Sequence, residues 1–146
     1  AVTMGGFASP ASLNSIEFLT ISTTGNGQDF GDLTVARYTP NGSVSSSTRA
    51  VMMGGYATSP GAAQSTIDYV TIATLGNAMN FGDLTETNYT AQSVSDSIRG
   101  VRMGGVSDQN KCDYINIATE GNAVFFGSLL STHKEGGGLS NAHGGL

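Results

Sequence analysis

The sequence predicts an all-β protein built from three copies of one unit, each expected to be a blade of antiparallel strands. Three observations carry this. First, whole phrases return. Met4-Gly5-Gly6, Met53-Gly54-Gly55 and Met103-Gly104-Gly105 open units of about fifty residues, the kind of period that marks propellers, solenoids and stacked arrays. Second, the most strongly patterned phrase in each unit is rich in β-branched and aromatic residues, which suit a pleated surface. It reads Ile16 to Ile21, then Ile67 to Ile72, then Cys112 to Ile117. Third, no segment sustains a helical period between caps. The divisions are residues 1–49, 50–99 and a divergent third unit, 100–146, together forming one domain.

The middle unit justifies each element in order. Ala50-Val51-Met52-Met53 is an apolar run ending in a Gly pair, hence a buried strand that stops or kinks. Tyr56 to Thr66 is small, polar and Pro-containing, and reads as a loop. Ile67 to Ala73 carries apolar residues at both parities, so this strand is expected to be covered on both faces. Leu75-Gly76-Asn77 tolerates positive φ and turns the chain. Asn80 to Leu84 is a short extended piece around one large aromatic. Thr85 to Tyr89 is a fourth strand or an edge, and Thr90 to Ser97 a polar loop. The first unit follows the same plan. In the third, Ser128 replaces Asp32 and Asp83, Gly144 replaces Arg49 and Arg99, and Thr132 to Gly138 reads as having no counterpart upstream. Terminal repeats are commonly atypical.

Gly145-Leu146 stands where Ala50-Val51 and Gly100-Val101 begin a unit, so the chain starts and stops at one phase. Either the ends meet in a closed ring or one copy hands over to the next. Propellers have about four to eight blades, and three are too few to close unaided. The chain, which begins at Ala1 without a Met, is therefore expected to be processed or cut from something longer, and to complete itself with other copies as a homo-oligomer or array.

Composition narrows the function classes. Charged residues are only 12%, so Ser, Thr, Asn and Gly must cover the surface, which suits an extracellular or virion protein. The net charge is −5, with Arg and Lys scattered singly. That disfavours a nucleic-acid partner and an anionic membrane, both of which need clustered basic residues. No apolar run reaches the length of a membrane span. Cys112 stands where Ile16 and Ile67 stand, and reads as a small buried hydrophobe.

The strand ending in a Gly pair, the later apolar strand with an acidic residue and the following aromatic resemble a Kelch-type β-propeller blade. Kelch blades favour Trp where this chain has Phe30, Phe81 and Phe126, and the chain has no Trp. Residues 67–85 and 99–105 look more closely like repeats in tail-fibre and other structural proteins of bacteriophages, marine ones especially. That resemblance implies a non-enzymatic virion or appendage protein contacting a host surface; a carbohydrate-binding module of lectin type is the alternative. It supplies no catalytic residues.

The candidate sites are as follows. Asp32 with Arg49, and Asp83 with Arg99, read as structural ion pairs, since the members are present together in two units and absent together from the third. Met4, Met52, Met53, Met79 and Met103 read as core filling. His133, His143 and Glu135 lack the ligand number and spacing of a zinc site and read as a solvated segment. The glycine runs at Gly25-Asn26-Gly27 and Gly136-Gly137-Gly138 lack a following helix and are turns, not phosphate cradles. No cofactor or metal is expected. The best ligand surface is the loop set carrying Phe7, Tyr38, Tyr56 and Tyr89, because Tyr, Ser, Asn and Gly on loops make adaptable contacts, with a host surface glycan as the expected ligand. Asn41-Gly42-Ser43 and Asn88-Tyr89-Thr90 match the N-glycosylation acceptor pattern, a coincidence in a bacterial or phage setting.

Overall fold

The structure, a computed structural model, describes residues 1–38, 42–106 and 109–140. Asn41, His143, Gly144, Gly145 and Leu146 lie outside the described residues. Among those described there are twelve strands and no helix. β1 (Val2–Ala8), β2 (Ala11–Phe18) and β3 (Gln28–Asp32) make the first sheet, in that order. The second sheet runs from β4 (Ser43–Ser45) through β5 (Arg49–Met53) to β7 (Ala62–Thr71). Both the short β6 (Tyr56–Ala57) and β8 (Met79–Asn88) pair with β7. β9 (Gln92–Ser95), β10 (Arg99–Met103), β11 (Lys111–Asn116) and β12 (Val124–Ser128) make the third. Every pairing is antiparallel.

The three sheets follow one another as an open stack, and no hydrogen bond among the described residues joins the first to the third. The middle sheet explains the two-sided apolar strand. Successive side chains on a strand point to opposite faces. Met52 and Val70 face the first sheet and pack with Met4, Ile16, Phe30, Leu33 and Ala78. Val51, Met53, Ile67 and Tyr69 face the third and pack with Phe81, Leu84, Ile115, Ile117 and Ala123. Each junction thus has its own core. Burying a Phe or Ile side chain is worth roughly 1.5–3 kcal/mol, so the large apolar residues at a junction dominate its stability.

The Gly pairs follow the ends of β5 and β10 and, in the first sheet, form an irregularity of register inside β1. Gly5, Gly54 and Gly104 share φ of 65°, a left-handed conformation that Gly adopts without steric cost. A Cβ at any of them would land on the carbonyl of Arg37, Asn88 or His133 respectively. The next glycine donates to that same carbonyl: Gly6 to Arg37 at 3.0 Å, Gly55 to Asn88 at 2.8 Å, Gly105 to His133 at 2.7 Å. The pair is where the chain leaving a unit crosses over it.

This crossing corrects the expectation that residues 132–138 lack a counterpart. His133 holds the place of Arg37 and Asn88. Glu135 repeats the φ of Thr90, 57° against 56°. Several expected loops are strands. Phe7 to Ser15 is most of a β1–β2 hairpin turning at Ser9-Pro10, Tyr56 to Thr66 holds β6 and the start of β7, and the stretches after Tyr38 and Tyr89 contain β4 and β9. Backbone pairing to a neighbour overrides the weak strand propensity of Ala, Ser and Gln there. β4 and β9 also carry each sheet across the repeat boundary, supplying its first strand from the end of the preceding unit. Met4, Met52 and Met53 are buried, whereas Met79 is half exposed on the turn side of β8.

Candidate functional site

The four aromatic residues singled out for ligand contact stand in one row. The crossing at each Gly pair builds it. The residue after the pair, Phe7 or Tyr56, is set beside the residue after the crossing carbonyl, Tyr38 or Tyr89. Tyr38 and Tyr56 then exchange two backbone hydrogen bonds, at 3.0 and 2.9 Å, joining one unit's row to the next. Ring centroids lie 5.0 Å apart for Phe7–Tyr38, 5.7 Å for Tyr38–Tyr56 and 5.1 Å for Tyr56–Tyr89. The contacts are tilted or edge-to-face, the arrangement the aromatic quadrupole favours. Phe7 is half exposed and the three Tyr residues are partly buried. In the third unit Val106 takes the place of Tyr56, its N–H donating to the Tyr89 carbonyl at 3.1 Å, and the row stops there.

The hairpin tips beside the row are locked together. The Ser12 and Thr58 hydroxyls meet at 2.9 Å, and each accepts from the other residue's backbone N–H, at 2.8 and 2.9 Å. The result is a stiff aromatic strip bordered by hydroxyls. A pyranose ring presents C–H groups of partial positive charge on one face and hydroxyls around its edge. The π faces suit the first and the Tyr and Ser hydroxyls the second.

The expected Asp–Arg pairs are corrected. Asp32 lies on β3 of the first sheet and Arg49 on β5 of the second, while Asp83 lies on β8 of the second sheet and Arg99 on β10 of the third, and neither couple is among the ion pairs of the described residues. Arg49 instead lies over the Tyr69 ring at 4.4 Å, donates to the Ile117 carbonyl at 3.1 Å and meets Glu120 at 3.4 Å. Glu120 also accepts from the Tyr69 hydroxyl at 2.6 Å, and that bond holds the Tyr69 pKa above its ordinary value. Arg99 lies over Tyr114 at 5.1 Å. Asp32 and Asp83 serve through their backbone: their N–H groups donate to Asn77 and Asn122 at 3.0 Å, and the Asp83 carboxylate takes the Ser65 hydroxyl.

Two buried ion pairs went unread. Arg37 meets Asp68 at 2.9 Å between the first and second sheets, and Arg102 meets Asp113 at 2.7 Å in the third. In each, a Thr of the preceding unit donates to the same carboxylate, Thr34 to Asp68 at 2.7 Å and Thr85 to Asp113 at 2.8 Å. The Asp and Thr repeat in sequence but the Arg does not. Arg37 stands where the next unit has Asn88, and Arg102 stands where the second unit has Met52. A connecting segment in one case and strand β10 in the other deliver a guanidinium to the equivalent carboxylate. Lys111 and Glu86 form a further, exposed pair. Cys112 is buried, and burial raises its thiol pKa. His133 bonds Ser131 at 3.0 Å, and no group of three metal-ligating side chains occurs among the described residues.

One cleft, of about 540 Å³, lies where β1, β4, β9 and residues 138–140 converge. Its walls are Val and Ser side chains. Serine hydroxyls step from strand to strand: Ser93 to the Ser43 carbonyl at 2.8 Å, Ser95 to Ser45 at 3.3 Å, Ser140 to Ser95 at 2.6 Å. It is a seam between strands, and its lining carries no charged or titratable side chain. Comparison with protein-family models and with curated proteins found no match.

Proposed function

We propose that the chain is a non-enzymatic structural and adhesive module, a component of a phage tail fibre or similar extracellular appendage, that assembles with further copies of itself and touches a host surface. The observation that carries this reading is the aromatic row, where four rings from successive units stand side by side at fixed spacing. The rest of the repeated chemistry points the same way: the buried carboxylates, guanidinia and threonines are consumed in holding sheets together. A strip of rings at regular spacing suits a polymeric surface better than a single small molecule.

The test is binding of the purified protein to intact host cells and to their isolated surface polysaccharide. Tyr38→Ala with Tyr89→Ala removes the centre and one end of the row. The expected result is loss of at least about tenfold in affinity with an unchanged β-type circular dichroism spectrum, each stacked ring being worth about 0.5–1.5 kcal/mol beyond its burial. Full binding by the double variant would refute the assignment of the row.

The row also favours a second reading, a lectin-type module with affinity for free sugar. Calorimetric titration with mono- and oligosaccharides separates the two. The adhesive reading expects affinity for polymer or cells without measurable affinity for free monosaccharide. The lectin reading expects weak saturable binding of the free sugar.

A further inference from the structure

The junction between sheets is built the same way twice, and each end of the stack carries one half of it. In all three sheets a β-bulge falls at the large Phe: the pairing register shifts across Phe30, Phe81 and Phe126. A bulge leaves its extra residue out of the ladder, and in the first two sheets the freed carbonyl is used by the following unit. Phe30 O accepts from Gly76 N and Phe81 O from Gly121 N, both at 2.8 Å. Two residues on, Asp32 O accepts from Ala78 N and Asp83 O from Ala123 N, again at 2.8 Å. The Asn between the two donors closes the clasp by accepting from the Asp N–H at 3.0 Å. A Gly-Asn-Ala turn thus sits on a Phe-Gly-Asp bulge.

The third sheet shows the bulge, and among the described residues no turn sits upon it. Phe126 is 55% exposed, where Phe30 and Phe81 are 4% and 3%. The first sheet shows the turn, Gly25-Asn26-Gly27, and no bulge beneath it. Gly127 adds an independent sign. A Cβ on Gly31 would strike Gly76, and one on Gly82 would strike Gly121, so glycine is required there by the neighbouring turn. A Cβ on Gly127 would meet none of the described residues within 4 Å. Among the described residues nothing requires a glycine there.

The strand edges agree. Sheets two and three each take a first strand from the unit before, β4 and β9, but among the described residues β1 pairs with β2 only. Gly138-Leu139-Ser140 continues the serine ladder of β4 and β9, and Leu139 is 98% exposed where its counterpart Val44 is 6%. β4 pairs Val44 with Val51 and Ser45 with Ala50. The same register would set Leu139 against Val2 and Ser140 against Ala1.

We propose that the outward face of the third sheet, together with residues 138–140, seats the first sheet of a second copy of this chain, head to tail. Gly25-Asn26-Gly27 of the incoming copy clasps the Phe126 bulge, and residues 138–140 complete the open edge of its β1. The charged part of the junction is altered: Glu17 takes the place of Asp68, His133 that of Arg37, and Leu130 that of Thr34. The pair available is His133 with Glu17, without the threonine donor. This end-to-end contact is therefore weaker than the internal ones and reversible. Because its two faces differ, the contact is head to tail: it closes a ring where the rotation between copies closes and extends as a filament where it does not.

This inference rests on the assembly part of the function proposed above, and sedimentation tests it separately from surface binding. The wild-type protein is followed from about 1 µM to 1 mM, the range in which transient contacts populate, beside Gly127→Val and, as a folding control, Gly82→Val. The expected result is an average mass that rises with concentration above that of the monomer for the wild type. Gly127→Val should keep the wild-type melting temperature and stay monomeric, while Gly82→Val should lower the melting temperature. A wild type that stays monomeric throughout, or a Gly127→Val variant that associates as the wild type does, would overturn the proposal. The aromatic row is distant in sequence from Gly127, so surface binding by the monomeric variant reads the adhesive proposal independently.

Discussion

At the scale of the residue, the deepest constraint is a buried charge pair whose acid repeats and whose base does not. Asp68 and Asp113 are fully buried, each with a Thr and an Arg. Removing one partner of such a pair strands the other and costs about 3–5 kcal/mol. Arg37→Asn should therefore destabilise by about that amount in urea unfolding. Met52→Arg places a guanidinium at the position Arg102 holds opposite Asp113, since Met52 pairs with Asp68 as Arg102 pairs with Asp113. Arg37→Asn with Met52→Arg should recover more than half of the loss. A double variant no more stable than Arg37→Asn would show that the two arrangements are not interchangeable. This also explains what the sequence concealed. Asp68 and Asp113 align at once, but Arg37 aligns with Asn88 and Arg102 with Met52, so the pairing emerges only in space. The expected pairs of Asp32 with Arg49 and Asp83 with Arg99 followed a real periodicity, yet the fold puts the members of each pair in successive sheets, where Arg49 and Arg99 lie over Tyr69 and Tyr114 instead.

At the scale of the element, strands with β-branched and aromatic residues were legible and those made of Ser, Ala and Gln were not. β4 and β9 read as Ser-Val-Ser with period-two alternation, a signal too short to outweigh their polar surroundings, and their place is fixed by pairing with β5 and β10. The turns between them show the same economy. In the third sheet Asp96 Oδ1 accepts from the N–H groups of Arg99 and Ile98, at 2.6 and 2.7 Å. In the second, the Ser46 hydroxyl does the same for Arg49 and Thr48 at 3.2 Å. Those backbone donors, Arg99 first, hold the Asp96 carboxyl below its ordinary pKa. With the folded pKa depressed, the turn's stabilisation is present above the unfolded value and is lost as pH falls through the folded one. A carboxyl carbon titration by NMR should place the Asp96 midpoint below that of an unstructured Asp. Asp96→Ser should keep the turn and remove that acid dependence. A midpoint at or above the unstructured value would contradict the assignment of these hydrogen bonds.

At the scale of the molecule, the patterning announced an all-β fold of antiparallel strands, and that fold holds. What it could not announce is how the units join. The Gly-Asn phrases looked like simple turns because a turn needs Gly and Asn for its own φ. Their second task, clasping the preceding sheet's bulge, is visible only when Gly76 is seen to sit on Gly31 and Gly121 on Gly82. Repeat arrays draw stability from such nearest-neighbour contacts, so the clasp is the element on which the stack, its rigidity and the spacing of the aromatic row all depend. Amide hydrogen exchange tests it most directly. The N–H groups of Gly76, Ala78, Gly121 and Ala123 lie in turns, yet each donates to a bulged strand of the unit before. They should exchange as slowly as amides in the centres of β5 and β7, while Gly25 and Gly27, whose clasp is empty in a single copy, exchange at the rate of an open loop. Fast, loop-like exchange at Gly76 and Gly121 alongside protected strand centres would contradict the account at its root.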